Sequence, residues 1–427
     1  MTNPTTRRAL ITRSAKLVAG AATLSALDAR PALGFALQPT FASAQTVSTN
    51  ADRVVALYNA MQQYFYLPDS KLYLETRPQK NSNPYAYLWP FYEAVAGTID
   101  LLGVPGIGAN YSGPVKDRLA ALKFYYHNWN GTTANAPISY NGSGYDSYPR
   151  GLYGSGGDRY DDDNAWAGRA LIQLQRMAGS TYVLAGGLAP LQGATDVYQF
   201  VLQGYDNNTA DPRPGGEFWV QASWNRDRGC GPTGGLAKLA LHLHELTGSK
   251  YPSSYSTQAM QAYNWARTNL YRSDNVYADK VHPDGSIDWA VWSYNQGVMI
   301  GAGVLLTRVV GDTTYRDQAV VNADATLNYF SSNWYSQPVI FNVLFFRNLL
   351  LLCDAIKSSD PTRYSSYLAA VQSFADQVWN DKSIHNMQTN LIKFDPSSST
   401  YKLREQAAMV QIYACLAWSS VDYSKLG

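Results

Sequence analysis

A hydrophobic period close to 3.6 residues recurs in twelve separate segments and constrains the fold more than any other feature of the sequence. This period is typical of amphipathic helices, and no segment shows the sustained alternation of apolar and polar residues that indicates a long strand. The predicted helices cover residues 52–67, 84–102, 115–127, 163–178, 188–204, 232–247, 255–271, 292–310, 313–330, 341–357, 362–380 and 402–421. The sequence therefore predicts an all-α protein of twelve helices.

Glycine-containing turns arrange the predicted helices in pairs. Gly179, Gly248 and Gly311 each stand where a helix should end, and each is followed by a polar turn and a tyrosine. Their spacings of 69 and 63 residues are those of a repeated helix pair. Six such pairs can close into a ring, so we predict an (α/α)6 barrel, with an open solenoid of helix pairs as the alternative.

The loops on the two sides of the even-numbered helices differ in length. The turns that follow these helices are mostly short, whereas the loops that precede them are mostly long and rich in Gly, Asn, Tyr and Trp. In a ring of helix pairs the two sets of loops fall on opposite ends of the molecule. Functional residues concentrate on long loops held by a rigid scaffold. We therefore expect the functional site at the end that carries loops 68–83, 128–162, 205–231, 272–291 and 381–401.

The composition argues against several classes of protein. Only 15% of the residues are charged while 13% are aromatic, whereas disordered chains and nucleic-acid-binding proteins need abundant or clustered charge. Beyond the N-terminal segment the longest apolar run, 348–353, is too short to span a membrane. The three cysteines and five histidines do not have the spacing of metal ligands. We expect a monomer without metal, cofactor, nucleic-acid partner or membrane span.

The first 44 residues have the order of an export signal. Arg7 and Arg8 belong to a charged start, residues 17–27 are modestly apolar, and Ala42-Ser43-Ala44 fits a small-residue cleavage site. The adjacent arginines resemble a bacterial twin-arginine signal. We predict an export signal over residues 1–44, which leads to the periplasm or the medium, followed by a single domain over 45–427. A disordered basic tail is the alternative.

The predicted signal also accounts for the positive charge of the whole chain. It holds five of the 34 basic and one of the 32 acidic residues, which leaves 29 basic and 31 acidic residues in the remaining chain. A nearly neutral protein suits a neutral substrate.

Three consecutive aspartates, Asp161, Asp162 and Asp163, stand at the start of the fourth predicted helix. Capping and the helix dipole explain one or two acidic residues at such a position. Three adjacent carboxylates repel each other, which is better tolerated where a raised pKa serves acid–base chemistry. Tyr160 and Trp166 flank the run and offer flat faces for stacking on sugar rings. The run is a candidate catalytic carboxylate pair, with helix capping as the alternative.

Two further motifs of aromatic and amide residues precede later even-numbered helices. They are Gly215-Gly216-Glu217-Phe218-Trp219 and Trp292-Ser293-Tyr294-Asn295-Gln296-Gly297. Amide side chains both donate and accept hydrogen bonds, and together with aromatic rings they suit hydroxyl-rich ligands. Ordinary capping by Asn and packing by Trp is the alternative for each motif, but three such motifs at one end of the scaffold favour a ligand-binding surface.

Taken in order, the runs 162–166, 215–219, 293–297 and 341–347 resemble glycoside hydrolase family 76, which contains α-1,6-mannanases. The similarity covers roughly residues 52–420. The resemblance implies an (α/α)6 catalytic domain, no metal, and retaining hydrolysis by two adjacent aspartates. It implies that Asp162 is the nucleophile and Asp163 the general acid/base, with Trp166 setting the register. We predict the following substrate-binding residues: Tyr160, Asp161, Trp166, Trp219, Tyr294, Asn295, Gln296 and Arg347.

The resemblance is incomplete at two positions of the sugar-binding wall. Cys230 stands near an asparagine of the family pattern, and Asn342 stands near a lysine. We predict an exported endo-α-1,6-mannanase that acts by double displacement on a neutral polysaccharide such as α-mannan. The alternatives are a related enzyme of the same fold, such as a wall-glycan transglycosylase or an unsaturated-uronide hydrolase, and a non-catalytic carbohydrate-binding protein.

Overall fold

The computed structural model describes residues 49–80, 82–129 and 142–427. The export signal predicted over residues 1–44 lies outside the described residues. Twelve α-helices are present in the described ranges: α1 (Asn50–Phe65), α2 (Leu88–Leu101), α3 (Ser112–Leu122), α4 (Asp161–Ala178), α5 (Pro190–Val201), α6 (Cys230–Thr247), α7 (Ser254–Leu270), α8 (Ser293–Val310), α9 (Thr314–Tyr329), α10 (Val339–Ile356), α11 (Pro361–Asn380) and α12 (Leu403–Ala417).

The even-numbered helices form a closed inner ring. Helix α2 packs on α4, α4 on α6, α6 on α8, α8 on α10, α10 on α12, and α12 again on α2. The odd-numbered helices lie outside this ring, each against an inner neighbour: α3 on α2, α5 on α4, α7 on α6, α9 on α8, α11 on α10 and α1 on α12. The predicted (α/α)6 barrel is confirmed.

The burial of the helices explains which of them lie inside. Helix α10 buries nearly all of its residues, whereas the outer helix α9 buries four. A helix that is apolar all round must be covered on every side, while an amphipathic helix needs cover on one face. By length and composition α10 would also suit a membrane span, with a mean hydropathy of 1.9, but 89% of it is buried inside the barrel.

Several helix boundaries differ from the predicted ones. Helix α4 begins at Asp161 and not at residue 163, so all three aspartates belong to its first turn. Helix α3 ends at Leu122, because the following residues turn into a strand that pairs with residues 142–145. Helix α12 ends at Ala417, and a 3-10 turn over Ser420–Lys425 follows it.

Short strands tie the long loops together. They are β1 (Tyr66–Leu67), β2 (Leu72–Tyr73), β3 (Thr76–Arg77), β4 (Tyr126–Trp129), β5 (Gly142–Tyr145), β6 (Glu217–Phe218), β7 (Arg228–Gly229), β8 (Lys280–Val281), β9 (Ile287–Asp288), β10 (His385–Asn386), β11 (Leu391–Ile392) and β12 (Tyr401–Lys402). Strands β6 to β9 form one antiparallel sheet, which joins the loop before α6 to the loop before α8. Strand β12 pairs with β3, so the loops before α2 and α12 are also joined.

All six inner helices begin at the same end of the ring, because each outer helix reverses the direction of the chain between two inner ones. We call this end the mouth. The long loops and their strands gather there, as the loop lengths predicted. The positive ends of six helix dipoles also point to the mouth, and this favours negative charge at that end.

Candidate active site

The first turn of α4 carries Asp161, Asp162 and Asp163 at the mouth. A neighbouring segment of the loop before α6 holds this turn in place. The backbone N–H of Asp161 donates to the carbonyl of Trp219 at 3.0 Å, and Tyr160 and Val220 form an antiparallel bridge. The start of the helix is therefore fixed by main-chain pairing as well as by its own residues.

The three aspartates differ in how much surface they keep. Asp161 is fully buried, whereas Asp162 and Asp163 keep exposed fractions of 4% and 3%. An Oδ1 atom of Asp162 accepts the backbone N–H of Asp163 at 2.9 Å. Asp162 and Asp163 are thus the two residues of the run that keep some exposed surface.

The side chain of Asn164 on α4 forms hydrogen bonds that hold the long loop before this helix in place. Its Oδ1 atom accepts the backbone N–H of Tyr145 at 2.7 Å, and its Nδ2 atom donates to the carbonyls of Tyr145 at 3.0 Å and of Tyr160 at 2.8 Å. The amide is fully buried. Sequence reasoning did not assign a role to this residue, because its partner Tyr145 lies in a different element.

Aromatic side chains cluster beside the aspartates. The ring centroids of Tyr160 and Trp219 are 5.2 Å apart, and Trp224 lies 5.8 Å from Trp219. The indole N–H of Trp224 donates to Asp158, and the side chain remains 41% exposed. The structure therefore brings the predicted sugar-stacking residues Tyr160 and Trp219 together and adds Trp224.

A second aromatic group connects the entrances of α2, α8 and α10. The rings of Trp89 and Phe341 are stacked with centroids 5.8 Å apart, and Tyr294 lies 4.3 Å from Phe341. Each of the three residues stands in the first turn of its helix. These rings extend the aromatic lining of the mouth around the ring of helices, away from α4.

A fourth acid, Asp279, lies between the entrances of α6 and α8. One of its carboxyl oxygens accepts the Nδ2 amide of Asn295 at 3.0 Å and the hydroxyl of Tyr294 at 3.5 Å. Its backbone carbonyl accepts the N–H of Cys230 at 2.8 Å. Burial raises the pKa of Asp279 to about 6, although the positive charge of Lys280 opposes this shift. Sequence reasoning missed Asp279 because no local pattern marks it.

We expect Asp279→Asn to change the pH dependence of stability. Because the folded pKa is about 6 against an ordinary 3.8, folded protein keeps a proton that the unfolded chain releases. The free energy of unfolding of the wild type should therefore fall, relative to the variant, by on the order of 2 kcal/mol as pH rises from about 4 to about 6. Urea unfolding at several pH values measures this difference. Parallel curves for the two proteins over that interval would contradict the shifted pKa.

Five of the predicted substrate-binding residues keep at most 3% of their surface exposed: Asp161, Trp166, Asn295, Gln296 and Arg347. Trp166 is buried within the barrel, and the guanidinium of Arg169 lies 5.7 Å from its ring. Gln296 uses its amide for the main chain: its Oε1 atom accepts the N–H of Tyr277 at 2.7 Å, and its Nε2 atom donates to the carbonyl of Tyr277 at 2.9 Å. We assign Gln296 and Trp166 structural roles in place of the predicted sugar contacts.

Arg347 is also placed away from the mouth. It lies more than two turns into α10 and is buried, and its guanidinium pairs with the carboxylate of Asp100 and the amide oxygen of Gln173. Gln173 follows Asp162 by eleven residues on α4, which corresponds to about 16 Å along the helix axis. Arg347 therefore belongs to a buried ion pair below the site and not to the predicted sugar-binding wall.

The three cysteines, Cys230, Cys353 and Cys415, are buried, and none of them forms a disulfide. Within the described part of the chain, no group of three or more His, Cys, Asp or Glu side chains is arranged to hold a metal ion.

Solved structures with the same fold include bacterial glycoside hydrolases. A family 76 mannosidase from Bacteroides thetaiotaomicron is 18% identical, with 86% of this chain and 98% of that chain covered and a TM-score of 0.70. An α-mannanase of the same family and organism is 17% identical, with 87% and 96% covered and a TM-score of 0.71. An inactive variant of the α-1,6-mannanase of Salegentibacter, with two consecutive aspartates replaced by asparagine, was solved with α-1,6-mannotriose. It is 16% identical, with 86% of this chain and 99% of that chain covered and a TM-score of 0.65.

No curated protein sequence matches the chain. A family model does match it: the model described as "Glycosyl hydrolase family 76" covers residues 48–422, which is most of the chain and includes all twelve helices. The match confirms the resemblance found in the sequence, and it includes the aspartates at the mouth. The protein belongs to glycoside hydrolase family 76 and is a glycoside hydrolase.

Proposed function

We propose that this enzyme cleaves α-1,6-mannosidic linkages within a mannan chain and that Asp162 and Asp163 carry out the reaction with retention of anomeric configuration. The observation that carries the proposal is the position of these two adjacent carboxyl groups in the first turn of an inner helix, at the mouth and beside aromatic side chains. The Salegentibacter α-1,6-mannanase, solved with α-1,6-mannotriose after two consecutive aspartates were replaced, supports the same substrate.

The mechanism needs two carboxyl groups about 5–5.5 Å apart, one ionised and one protonated. Consecutive α-carbons are about 3.8 Å apart, and neighbouring side chains on a helix diverge by about 100°, so adjacent aspartates can reach this separation. The N–H of Asp163 donates to Asp162 and stabilises negative charge there, which suits Asp162 to the nucleophilic role.

In the first step a carboxylate oxygen of Asp162 attacks the anomeric carbon while Asp163 gives its proton to the glycosidic oxygen. The bond to the leaving sugar breaks, and a mannosyl ester of Asp162 remains. In the second step Asp163, now ionised, takes a proton from water, and the resulting hydroxide attacks the anomeric carbon from the opposite side. The ester bond breaks and both carboxyl groups return to their starting states.

The chemistry of the mouth supports a neutral sugar polymer as substrate. Tyr160, Trp219 and Trp224 offer apolar ring faces beside the aspartates, and Tyr294 offers another at the entrance of α8. Flat apolar faces pack against the C–H faces of sugar rings, whereas an anionic polymer would need clustered basic side chains. A polymer that extends across several helix entrances fits endo action.

We also propose that the enzyme acts outside the cytoplasm, on a wall or environmental mannan. The support is the order of charged, apolar and small residues over 1–44, including the adjacent Arg7 and Arg8. A fold whose cysteines are buried and free does not depend on disulfides formed after export.

Product analysis of an unbranched α-1,6-mannan backbone tests the proposed function. We expect shorter mannose oligomers of several lengths, measured by mass spectrometry, and no products from a β-1,4-mannan of the same size. Products longer than the starting oligomers would indicate transglycosylation. Retained binding without any change in length would indicate a carbohydrate-binding protein, and either result would overturn the proposal.

A further inference from the structure

A surface pocket lies on the mouth side of the barrel, outside the candidate active site. It is lined by residues 331–336, in the loop between α9 and α10, and by Gln377 on α11, and its volume is about 300 Å³. The loop precedes the inner helix α10, and Gln377 lies one turn before the end of α11. Both parts of the pocket therefore lie at the end of the ring where the inner helices begin.

Two aromatic residues in the pocket are held in place by the core and by neighbouring loops. The ring of Trp334 is stacked on that of Phe345 in α10, with centroids 5.4 Å apart. The ring of Tyr335 contacts Phe374 of α11 and Phe394 edge to face, with centroids 6.1 and 5.7 Å apart. Tyr335 nevertheless remains 40% exposed. An exposed tyrosine ring that its neighbours already hold offers contact area to a ligand at a low cost in conformational entropy.

Hydroxyl and amide side chains make up the rest of the lining. The side chains of Ser331, Ser332 and Asn333 are exposed and form no hydrogen bond with other residues that the structure describes. The amide of Gln377 has one contact, to the hydroxyl of Ser373 at 3.4 Å. Such groups both donate and accept hydrogen bonds. Together with an exposed aromatic ring they suit a ligand that is rich in hydroxyl groups, such as a sugar.

The charge around the pocket disfavours an anionic ligand. None of the seven lining residues is charged. Asp381, which follows α11, accepts the backbone N–H and the hydroxyl of Ser383 at 2.9 and 2.6 Å, and these hydrogen bonds lower the pKa of Asp381. Burial and the negative charge of Asp381 raise the pKa of Tyr335. A carboxylate that is ionised beside Tyr335 repels acidic sugars and phosphates but not a neutral sugar.

The pocket is too far from the aspartates of α4 for one sugar to contact both. Helices α4 and α10 stand opposite each other in the ring of six inner helices. Neighbouring helix axes are about 8–10 Å apart, which places opposite axes roughly 16–20 Å apart. The pocket lies further out, between α10 and α11. Only a chain of several sugars can occupy the pocket and the active site at the same time.

We propose that this pocket is a second, non-catalytic carbohydrate-binding site, which holds one sugar unit of the polymer while another part of the same polymer lies in the active site. The ring of Tyr335 packs against the sugar, and the hydroxyl and amide groups of the lining bind its hydroxyls. A second attachment point raises the effective concentration of the polymer at the active site and does nothing for a ligand too short to reach both. The inference rests on the proposed function for the identity of the polymer.

Substitution of Tyr335 should separate long substrates from short ones. On a long unbranched α-1,6-mannan we expect Tyr335→Ala to raise KM by about fivefold with kcat unchanged, and on α-1,6-mannotriose to change neither constant by more than about twofold. Gln377→Ala, an exposed change on a helix surface that should not disturb folding, is expected to raise KM on the polymer in the same direction. Melting temperatures of the variants, measured in parallel, check that the fold is kept.

Tyr329→Ala is the matched control. Tyr329 ends α9, packs on Phe330 with ring centroids 5.0 Å apart, and is 45% exposed, but it does not line the pocket. We expect its substitution to leave KM unchanged on both substrates. An unchanged KM of Tyr335→Ala on the polymer, or an equal increase on the polymer and on mannotriose, would overturn the inference.

Failure of the proposed function has a different signature. A wild type that cleaves neither substrate would contradict the mannanase assignment, and the pocket is then tested by binding alone. In native gels that contain the mannan, the wild type should migrate more slowly than in gels without it, and Tyr335→Ala should be retarded less than the wild type. Equal retardation of the two proteins, or none for the wild type, would overturn the inference.

Discussion

Asp162→Asn and Asp163→Asn are each expected to lower kcat on an α-1,6-mannooligosaccharide by about 10³-fold or more. Removal of the nucleophile prevents formation of the mannosyl ester, and removal of a general acid costs about 10²–10⁴-fold by itself. Both side chains are nearly buried at a helix start that is also held by main-chain pairing, so the neutral isosteres should keep the fold. Initial rates together with far-UV circular dichroism test this expectation.

An activated substrate distinguishes the two roles. An aryl α-mannoside with a good leaving group needs no proton in the first step, so Asp163→Asn should still release the aryl group in a burst while Asp162→Asn should not. Asp196→Asn is the matched control, because Asp196 is an acid on the outer helix α5 whose carboxylate accepts only the exposed amide of Gln192 among the contacts described. Large losses at Asp161 and Asp162 instead would place the catalytic pair one residue earlier.

Arg347→Met is expected to have the largest effect on stability, a loss of about 3–5 kcal/mol in the free energy of unfolding. The substitution leaves the carboxylate of Asp100 buried without its cation, since Arg347 and the amide of Gln173 are its side-chain partners. Breaking a buried pair on one side is costly, whereas its replacement by apolar residues on both sides is often neutral. The double variant Arg347→Met, Asp100→Leu should therefore recover most of the loss.

Urea unfolding of the two proteins, with KM measured in parallel, tests this assignment. We expect KM of the wild type and of Arg347→Met to agree within about twofold, because Arg347 lies below the site. A variant with unchanged stability and a greatly increased KM would instead restore Arg347 to the sugar-binding wall, as the sequence motif first suggested.

The fold could be predicted from the sequence because its determinants are local. Each helix has its own apolar period, three helices end at a glycine turn, and the lengths of the loops distinguish one end of the ring from the other. The position of the aspartates could be predicted for the same reason, since a helix start has a local signature. The burial of Asp161 and the exposed edges of Asp162 and Asp163 depend on the neighbouring loop and follow only from the structure.

The sequence could not reveal how deeply a side chain is buried or which distant residue it contacts. A motif places Arg347 in the right helix but does not reveal that its side chain reaches Asp100, 247 residues away in the sequence. Asp279 immediately precedes strand β8, which pairs with a strand of a different long loop. Trp89 meets Phe341 only because the ring closes. Contacts between residues that are far apart in the sequence produce no periodic pattern from which they could be predicted.

The stereochemistry of the first product tests the central claim most directly. Proton NMR of an α-1,6-mannotetraose digest, recorded within the first minutes and before mutarotation, reports the configuration of the newly formed reducing end. Double displacement at Asp162 and Asp163 predicts the α-anomer first, followed by slow appearance of the β-anomer. Initial formation of the β-anomer, or the absence of any new reducing end, would contradict the mechanism.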